Sequence, residues 1–218
     1  MRVFACWVLV VGSLSFAGCK TSGRTVQDVA EDSMLSDDDS YTDTVTKSPI
    51  SNFGRIGPNL FRGGQLRKHE DRFTFLQSVG VKNIINLQTF HSEDDPKLCS
   101  KYGMNCIRHS INPLANDWVH LKFDWANFKA AFADGKASLE RGEGLYVHCY
   151  VGKDRTGALI TALSIYPTIC SGEPYDAAEL EKKIAESYEE FGVSLPMRGL
   201  KAEVMSWAKK PPAWLCDK

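Results

Sequence analysis

Ten residues in the second half of the chain combine a nucleophile with a site for an anion. The run from His148 to Gly157 contains Cys149 and, six residues further on, Arg155. Apolar residues precede this run and a mostly apolar stretch follows it, so the pattern predicts a strand, a glycine-bearing loop and a helix. The first N–H groups of a helix lack partners, and a tight loop before it can direct further N–H groups inward. A tetrahedral dianion such as phosphate fits a cup of this kind.

Cys149 is expected at the bottom of this cup. The helix dipole and the unpaired N–H groups favour its thiolate, which is the nucleophilic form of cysteine. Arg155 carries a planar fork of N–H donors that can grip two oxygens of a phosphate. The alternative is a buried structural cysteine beside an unrelated arginine, but that interpretation requires none of the surrounding features. The segment therefore predicts a cysteine nucleophile that faces phosphorus.

These residues carry a family resemblance. The pattern Cys-x5-Arg-Thr, with His148 before it and Gly157 after it, resembles the signature of the cysteine-dependent protein tyrosine phosphatase superfamily. The upstream segment Leu60–Gln65 is similar to the first-strand motif of atypical and bacterial dual-specificity phosphatases, and the likeness extends over residues 48–218. The chain is too short for a large classical tyrosine phosphatase and has no Trp-Pro-Asp loop. The resemblance implies a dual-specificity phosphatase fold and hydrolysis of phosphate monoesters through a phosphocysteine, with no cofactor.

The resemblance also implies an acid that protonates the leaving oxygen and then acts as a base towards water. In the smaller dual-specificity enzymes this aspartate lies on a loop after the strand that precedes the nucleophile strand, and Asp117 fits that location. The alternative is that Asp117 only caps a helix that begins at Trp118. Asp94, Asp95 and Asp124 are weaker candidates, because positions at the start or on the surface of a helix explain them.

Further roles follow from the same resemblance. Thr156 resembles the hydroxyl that hydrogen-bonds the cysteine sulfur and eases its departure, although a residue in the first turn of a helix is the alternative. His148 would tune the thiolate through hydrogen bonds rather than act as a general base, or would be a plain buried histidine. The remaining residues of the loop are expected to bind substrate: Tyr150, Val151, Gly152, Lys153 and Asp154.

Lys153 bears on the choice of substrate. A second cation beside Arg155 raises the local positive potential beyond what one monophosphate requires. The form Gly-Lys-Asp-Arg-Thr-Gly resembles phosphatases that act on phosphoinositides or inositol phosphates, so Lys153 is expected to contact a second phosphate. The alternative is a lysine that pairs with Asp154 or is simply solvated. Other cations that could line the rim are Arg62, Arg67, Lys68, Arg198 and Lys201, with a buried ion pair as the alternative for Arg62.

The favoured function is therefore hydrolysis of inositol polyphosphates such as phytate. The alternatives are a dual-specificity or tyrosine protein phosphatase and, less favoured, a non-catalytic phosphate-binding module. The sequence contains neither a Walker A loop nor the C-x2-C spacing of a zinc site, so neither a bound nucleotide nor a metal is expected.

The elements that must position these residues alternate along the chain. Strand patterns occur at residues 59–62, 81–87, 104–111 and 144–148. Helix patterns occur at residues 67–79, from 94–96 onward, and at residues 118–133, 155–166, 174–190 and 196–209, and Pro167 is expected to end or kink its helix. This order predicts an α/β fold with a central, largely parallel sheet of about four to five strands flanked by helices on both faces. Ligands of such sheets bind beyond the carboxyl ends of the strands.

The residues before this domain predict export. Arg2 and the apolar run Val3–Phe16 read as a secretory signal over residues 1–19. Cys19 after Ala and Gly resembles the lipidated residue of a bacterial lipobox, and plain secretion or an uncleaved anchor are the alternatives. Residues 20–48 are rich in Asp, Ser and Thr and predict a disordered tether, which leaves the domain at residues 49–218. A periplasmic or outer-membrane-tethered lipoprotein is the expected location, with secretion as the alternative.

The composition and the cysteine count limit the expected binding partners and disulfides. The 218 residues carry 26 Lys and Arg against 27 Asp and Glu, so no basic excess argues for nucleic-acid or membrane-surface binding. A single domain, a monomer and a small phosphorylated substrate or phosphoprotein are expected. Seven cysteines are present, and an oxidising compartment would permit disulfides. Cys99 with Cys106 and Cys170 with Cys216 are conceivable pairs, although connectivity does not follow from sequence.

Overall fold

The computed structural model describes residues 48–90, 95–112, 123–192 and 198–217. Five strands of these residues form one sheet in the order β1-β2-β5-β3-β4. The strands are β1 (Gly54–Gly57), β2 (Leu60–Gly63), β3 (Val81–Asn86), β4 (Asn105–Arg108) and β5 (Gly144–His148). Six helices accompany them: α1 (Glu70–Ser78), α2 (Asp95–Lys101), α3 (Trp125–Glu140), α4 (Asp154–Cys170), α5 (Ala177–Phe191) and α6 (Arg198–Ser206), followed by a 3-10 turn at Ala213–Cys216.

The predicted sheet is confirmed. The pairs β2–β5, β5–β3 and β3–β4 are parallel, whereas β1 pairs with β2 in an antiparallel hairpin. The sequence analysis missed β1, because its four residues Gly-Arg-Ile-Gly offer no apolar alternation. This edge strand makes the sheet five-stranded and mixed at one side.

Helices cover both faces of the sheet, because successive residues of a strand point to opposite sides. On β3, Ile84 packs in one core cluster with Tyr146 of β5 and with Phe73 of α1. Its neighbour Ile85 packs in the other cluster, which holds most of the buried residues of α3 to α6. The predicted arrangement of helices on both faces is therefore confirmed.

Most helix boundaries differ from the predictions by a few residues, and those of α3 differ most. The helix that carries Phe128 and Phe132 begins at Trp125 rather than at residue 118, and it continues to Glu140. Its N-cap is Asp124, whose Oδ1 accepts a hydrogen bond from the Asn127 N–H at 3.0 Å. The expectation for residues 118–122 lies outside the described residues.

Pro167 was expected to end or kink its helix. It does not end the helix, since α4 runs through it to Cys170, and a kink at Pro167 stays a prediction. A proline removes one helical hydrogen bond. The helix is nevertheless buried along most of its length, and Cys170 is joined to Cys216 by a disulfide. Packing on several sides and this covalent link hold the last turn in place. A second disulfide joins Cys99 to Cys106, so both conceivable pairs are formed.

The sheet places the end of β5 at the centre of its carboxyl edge. His148, the last residue of β5, is in register with Gly63 of β2 on one side and with Asn86 of β3 on the other. The segment that follows His148 therefore leaves the sheet between two parallel neighbours, where ligands of such sheets bind. Among the described residues, no helix is both long and apolar enough to cross a membrane.

Candidate active site

The loop from Cys149 to Lys153, here called the catalytic loop, joins β5 to α4. Gly152 adopts φ +84°, a left-handed conformation that favours glycine. A Cβ atom at this position would also overlap the carbonyl group of Gly63. Glycine is needed at Gly152 both for the backbone conformation and for the close approach of β2.

The carbonyl groups of the catalytic loop are bound from the side of the β1–β2 hairpin. The Tyr150 carbonyl accepts a hydrogen bond from the Gln65 N–H at 3.2 Å, and the Val151 carbonyl accepts one from Asn52 Nδ2 at 2.8 Å. The Gly152 carbonyl accepts one from Nη2 of buried Arg62 at 2.8 Å. The same Arg62 atom lies 3.4 Å from the Lys153 carbonyl.

These bonds set the direction of the loop N–H groups. In a trans peptide unit the carbonyl and the N–H point in opposite directions, so a carbonyl held by the hairpin turns the next N–H away from it. One such group, the N–H of Gly152, donates to Cys149 Sγ at 3.4 Å. The arrangement matches the amide-lined cup expected from the sequence, with the sulfur among its donors.

Cys149 is the free cysteine of the described residues, and its side chain is 3% exposed. The other four described cysteines are held in disulfides. The thiol therefore lies at the floor of the loop, where little of it is exposed to solvent.

Arg155 is held over the loop by the ends of two strands. Its Nη1 donates to the carbonyl of Leu87 at 3.0 Å, just beyond β3, and to the carbonyl of Ile111 at 2.8 Å, beyond β4. Nε and Nη2 of Arg155 make no hydrogen bond within the described part of the chain, so two donors of the fork remain for an anion. The pairing of Nη1 also satisfies part of a guanidinium that is only 7% exposed.

A turn next to the catalytic loop is fixed by Tyr146. Burial raises the pKa of Tyr146 well above its ordinary value, so the hydroxyl keeps its proton at physiological pH. This hydroxyl donates to the Gly64 carbonyl at 2.7 Å, and the Gly64 N–H donates to the Ser51 carbonyl at 2.8 Å. The two bonds hold the turn from which Gln65 reaches the catalytic loop.

His148 is fully buried behind the nucleophile. Its Nδ1 lies 3.3 Å from the Cys149 carbonyl, and its Nε2 lies 3.8 Å from Oδ2 of buried Asp95. Desolvation lowers the pKa of His148 to about 4, and the positive charge of Arg155 acts in the same direction. The imidazole is therefore neutral at physiological pH, which fits an orienting role better than proton transfer.

Thr156 lies in the first turn of α4 and is fully buried. Its Oγ1 makes no hydrogen bond to a described residue, so the bond to Cys149 Sγ implied by the family resemblance is not formed in this structure. Assistance by Thr156 when the sulfur departs stays a prediction.

The substrate-binding residues predicted from the loop occupy different surroundings. Tyr150 and Val151 are 48% and 43% exposed, whereas Gly152 is buried. Lys153 is half-buried, and its Nζ would lie 3.3 Å from a Cβ atom at Gly192, the residue that ends α5. Asp154 opens α4, where a carboxylate is favoured by the helix dipole.

The cations expected on the rim also differ in position. Arg62 is buried beneath the catalytic loop and is not a rim residue. Arg67 and Lys68 are exposed in the turn between β2 and α1. Lys201 Nζ lies 5.6 Å from the centre of the Tyr188 ring, near the end of α5. Arg198 opens α6, and its side chain is not among those described.

The acid predicted at Asp117, like Asp94, lies outside the described residues. Asp124, which the predicted helix over residues 118–133 would have placed on a helix surface, instead caps the start of α3. Asp95 is buried and accepts a hydrogen bond from Asn86 Nδ2 at 2.6 Å.

Sequence reasoning missed Asn52 and the carbonyl-binding roles of Gln65 and Arg62. Gln65 and Arg62 lay within the Leu60–Gln65 motif that was compared with the family, but Asn52 lay outside that motif. No pattern in the sequence links Asn52 to a loop 99 residues away. The described residues also contain no group of three or more His, Cys, Asp and Glu side chains that could hold a metal ion.

Solved structures share this fold. The Siw14 catalytic core aligns with a TM-score of 0.55 at 14% identity, over 75% of this chain and 86% of that chain. TpbA from P. aeruginosa aligns with a TM-score of 0.52 at 21% identity, over 71% of this chain and 83% of that chain. The PP-IP phosphatase SIW14 from S. cerevisiae, in complex with citrate, aligns with a TM-score of 0.51 at 16% identity, over 77% and 96%. No family model and no curated protein matches the sequence. The fold is that of the cysteine-dependent protein tyrosine phosphatase superfamily, as the sequence resemblance implied.

The pKa of His148 predicts how stability depends on pH. The unfolded chain binds a proton at this histidine below about pH 6.5, but the folded protein does so only near pH 4. The free energy of unfolding should therefore fall by about 3 kcal/mol as the pH drops through that window, in addition to the contributions of other groups. The free energy of unfolding can be measured by urea titration at several pH values for the wild type and for His148→Gln. The variant should lack the His148 contribution to the slope of this free energy against pH.

His69→Gln is the matched control, because His69 is exposed. It should keep the wild-type slope between pH 6.5 and pH 4. Equal slopes for the wild type and His148→Gln would contradict the buried, neutral state of His148.

Proposed function

We propose that this protein hydrolyses phosphate monoesters through a phosphocysteine intermediate. The observation that carries the proposal is the catalytic loop itself, whose carbonyls are bound on one side while the Gly152 N–H donates to Cys149 Sγ on the other. A loop with this direction can bind a phosphate dianion directly over the sulfur. Arg155, fixed by two strand-end carbonyls, adds a charged donor to the same cup.

In the first step the Cys149 thiolate attacks phosphorus, the S–P bond forms, and the bond from phosphorus to the ester oxygen breaks. The loop N–H groups and Arg155 hold the three equatorial oxygens as charge redistributes. The departing oxygen takes a proton from a carboxylic acid, for which the family resemblance supplies Asp117. In the second step water attacks the phosphocysteine, the same carboxylate accepts a proton from that water, and the S–P bond breaks to restore the thiolate. A hydrogen bond from the Thr156 hydroxyl to Sγ, with no proton transferred, would stabilise the departing thiolate.

We favour inositol polyphosphates, such as phytate, as substrates. Lys153 adds a cation at the end of the catalytic loop, two residues before Arg155 of α4, and Lys201 adds another near the end of α5. Arg67 and Lys68 lie exposed in the turn after Gln65. A ring with several phosphates could contact several of these cations at once, whereas a single phosphate monoester could not. The similarity in fold to a PP-IP phosphatase supports the same choice.

Phosphotyrosine is the second candidate, and one observation favours it. Phe90 and Tyr150 are 64% and 48% exposed and belong to the same side of the site. Gln88 Nε2 donates to the Phe90 carbonyl at 3.2 Å and lies 3.1 Å from the side-chain amide of Gln65, whose backbone N–H donates to the Tyr150 carbonyl. Exposed aromatic rings can stack against an aryl ester. TpbA, which shares the fold at 19% identity and a TM-score of 0.52, has been solved in complex with pTyr.

We also propose that the protein acts outside the cytoplasm, tethered through Cys19. The apolar leader before Cys19 and the two disulfides of the domain support an oxidising compartment. A Cys19→Ser variant should move from the membrane fraction to the soluble fraction of the cell envelope. Unchanged fractionation of the variant would remove the lipid anchor from the proposal.

Replacing the nucleophile tests the reaction. Cys149→Ser should lower kcat on any phosphate ester by at least about a thousandfold, because a serine hydroxyl at this position is not ionised. The variant should still bind phosphate esters, since the loop N–H groups and Arg155 remain. Phosphate release and calorimetric titration with a substrate measure the two properties. A variant that kept its full turnover would rule out the covalent mechanism.

Lys153→Ala tests the choice of substrate. The value of kcat/KM for phytate should fall about tenfold more than that for p-nitrophenyl phosphate, because only the polyphosphate has a second charge for Lys153 to contact. Lys82→Ala is the matched control, since Lys82 is an exposed lysine of β3 near the opposite edge of the sheet. Equal losses of kcat/KM on both substrates would mean that Lys153 does not discriminate between them. Much faster turnover of a phosphotyrosine peptide than of phytate would favour the second candidate.

A further inference from the structure

We infer that Arg62 is a positioning residue that holds the catalytic loop in its anion-binding conformation. Arg62 lies on β2, the strand that pairs with β5, and its side chain is 1% exposed. Burying a guanidinium costs free energy unless its donors are well paired. Its place under the loop therefore points to a function of the charged group itself, beyond filling space.

The hydrogen bonds of Arg62 act on the backbone of the loop. Nη2 donates to the Gly152 carbonyl at 2.8 Å and lies 3.4 Å from the Lys153 carbonyl. These carbonyls belong to the two peptide units whose N–H groups come from Lys153 and Asp154. Because each carbonyl points at Arg62, the N–H of the same unit points away from it. The Lys153 carbonyl also accepts a hydrogen bond from the Gly157 N–H at 2.6 Å. Arg62 therefore acts mainly on the Gly152 carbonyl and thereby on the direction of the Lys153 N–H.

The other side of the guanidinium is held by α5. Cζ of Arg62 lies 3.9 Å from the centre of the Phe191 ring, which is the geometry of a cation–π contact. The surroundings leave little room, since a Cβ atom at Gly157 would lie 3.2 Å from the Tyr188 ring and 3.6 Å from Arg62 Nη2. Arg62 is therefore fixed between the catalytic loop and the last turn of α5.

This arrangement requires an arginine rather than any cation. A planar guanidinium can stack on the Phe191 ring and donate to carbonyls in its own plane at the same time. A lysine ammonium keeps the positive charge but offers no plane for stacking. If Arg62 acted only through its charge, Arg62→Lys would preserve the properties of the site, whereas a positioning role predicts that it will not.

Alkylation of Cys149 tests the inference without using phosphatase turnover. Iodoacetate carries a carboxylate that the loop N–H groups and Arg155 can bind, and iodoacetamide does not. The ratio of their rate constants therefore reports the anion-binding conformation of the loop. In Arg62→Lys and Arg62→Met this ratio should fall about tenfold from the wild-type value, because released carbonyls can turn towards the cup. Phe191→Leu, which removes the ring but keeps Arg62, should give a smaller fall in the same direction.

Arg55 supplies the matched control, since it lies in the same hairpin and donates to the carbonyls of Gly57 and Pro58 at 3.3 and 3.5 Å. Arg55→Lys and Arg55→Met should keep the wild-type ratio, with thermal unfolding measured for every variant. A wild-type ratio in Arg62→Lys, or equal falls in the Arg55 and Arg62 variants, would overturn the inference. If Arg62→Met does not fold, Arg62→Lys and Phe191→Leu decide the outcome.

The effect on catalysis rests on the proposed phosphatase activity. There Arg62→Lys should lower kcat more than it raises KM, because the loop N–H groups bind the transition state more strongly than the substrate. Lack of phosphate release by the wild type would count against the proposed function alone, since the alkylation ratio would still report on Arg62. A fall in kcat with an unchanged alkylation ratio would count against the positioning role.

Discussion

The electrostatics of this site depend on the direction in which four successive peptide units point. The carbonyls of residues 150–153 are bound on the side away from the thiol, by the β1–β2 hairpin and by the first turn of α4. Any of these carbonyls turned inward would place a partial negative charge beside Cys149 Sγ, inside the cup. The hairpin donors Asn52, Arg62 and Gln65 therefore do as much for the electrostatics of the cup as the groups that face it.

The parallel sheet brings these donors within reach. Because β2 and β3 flank β5, the ends of both neighbours lie beside Cys149. The β2 side supplies Arg62 and Gln65, which bind the loop from below, whereas the carbonyls beyond β3 and β4 hold Arg155 above it. The short, antiparallel β1 contributes the chain reversal that carries Asn52 back to the loop. Nucleophile and arginine are thus positioned by separate strands of one sheet.

Burial gives the site a second property. The thiol of Cys149, the imidazole of His148 and the hydroxyl of Thr156 are nearly or fully excluded from solvent, and the guanidinium of Arg155 is almost so. Desolvation keeps His148 neutral, so Arg155 is the buried cation of the segment that follows β5. The rim, by contrast, carries exposed aromatic and cationic side chains. The groups around Cys149 Sγ thus lie in the interior, whereas Tyr150 is exposed and Lys153 is half-buried at the surface.

The sequence by itself determined the strand–loop–helix segment around Cys149, the largely parallel sheet and the helices on both faces. Those features depend on local apolar patterns, on a glycine where the backbone must turn, and on the short spacing between Cys149 and Arg155. Only the tertiary structure decided that Arg62 lies beneath the loop, that Lys153 reaches the end of α5, and that α3 begins at Trp125. These outcomes depend on contacts between segments as many as 91 residues apart, and no local pattern encodes which partner a buried donor meets.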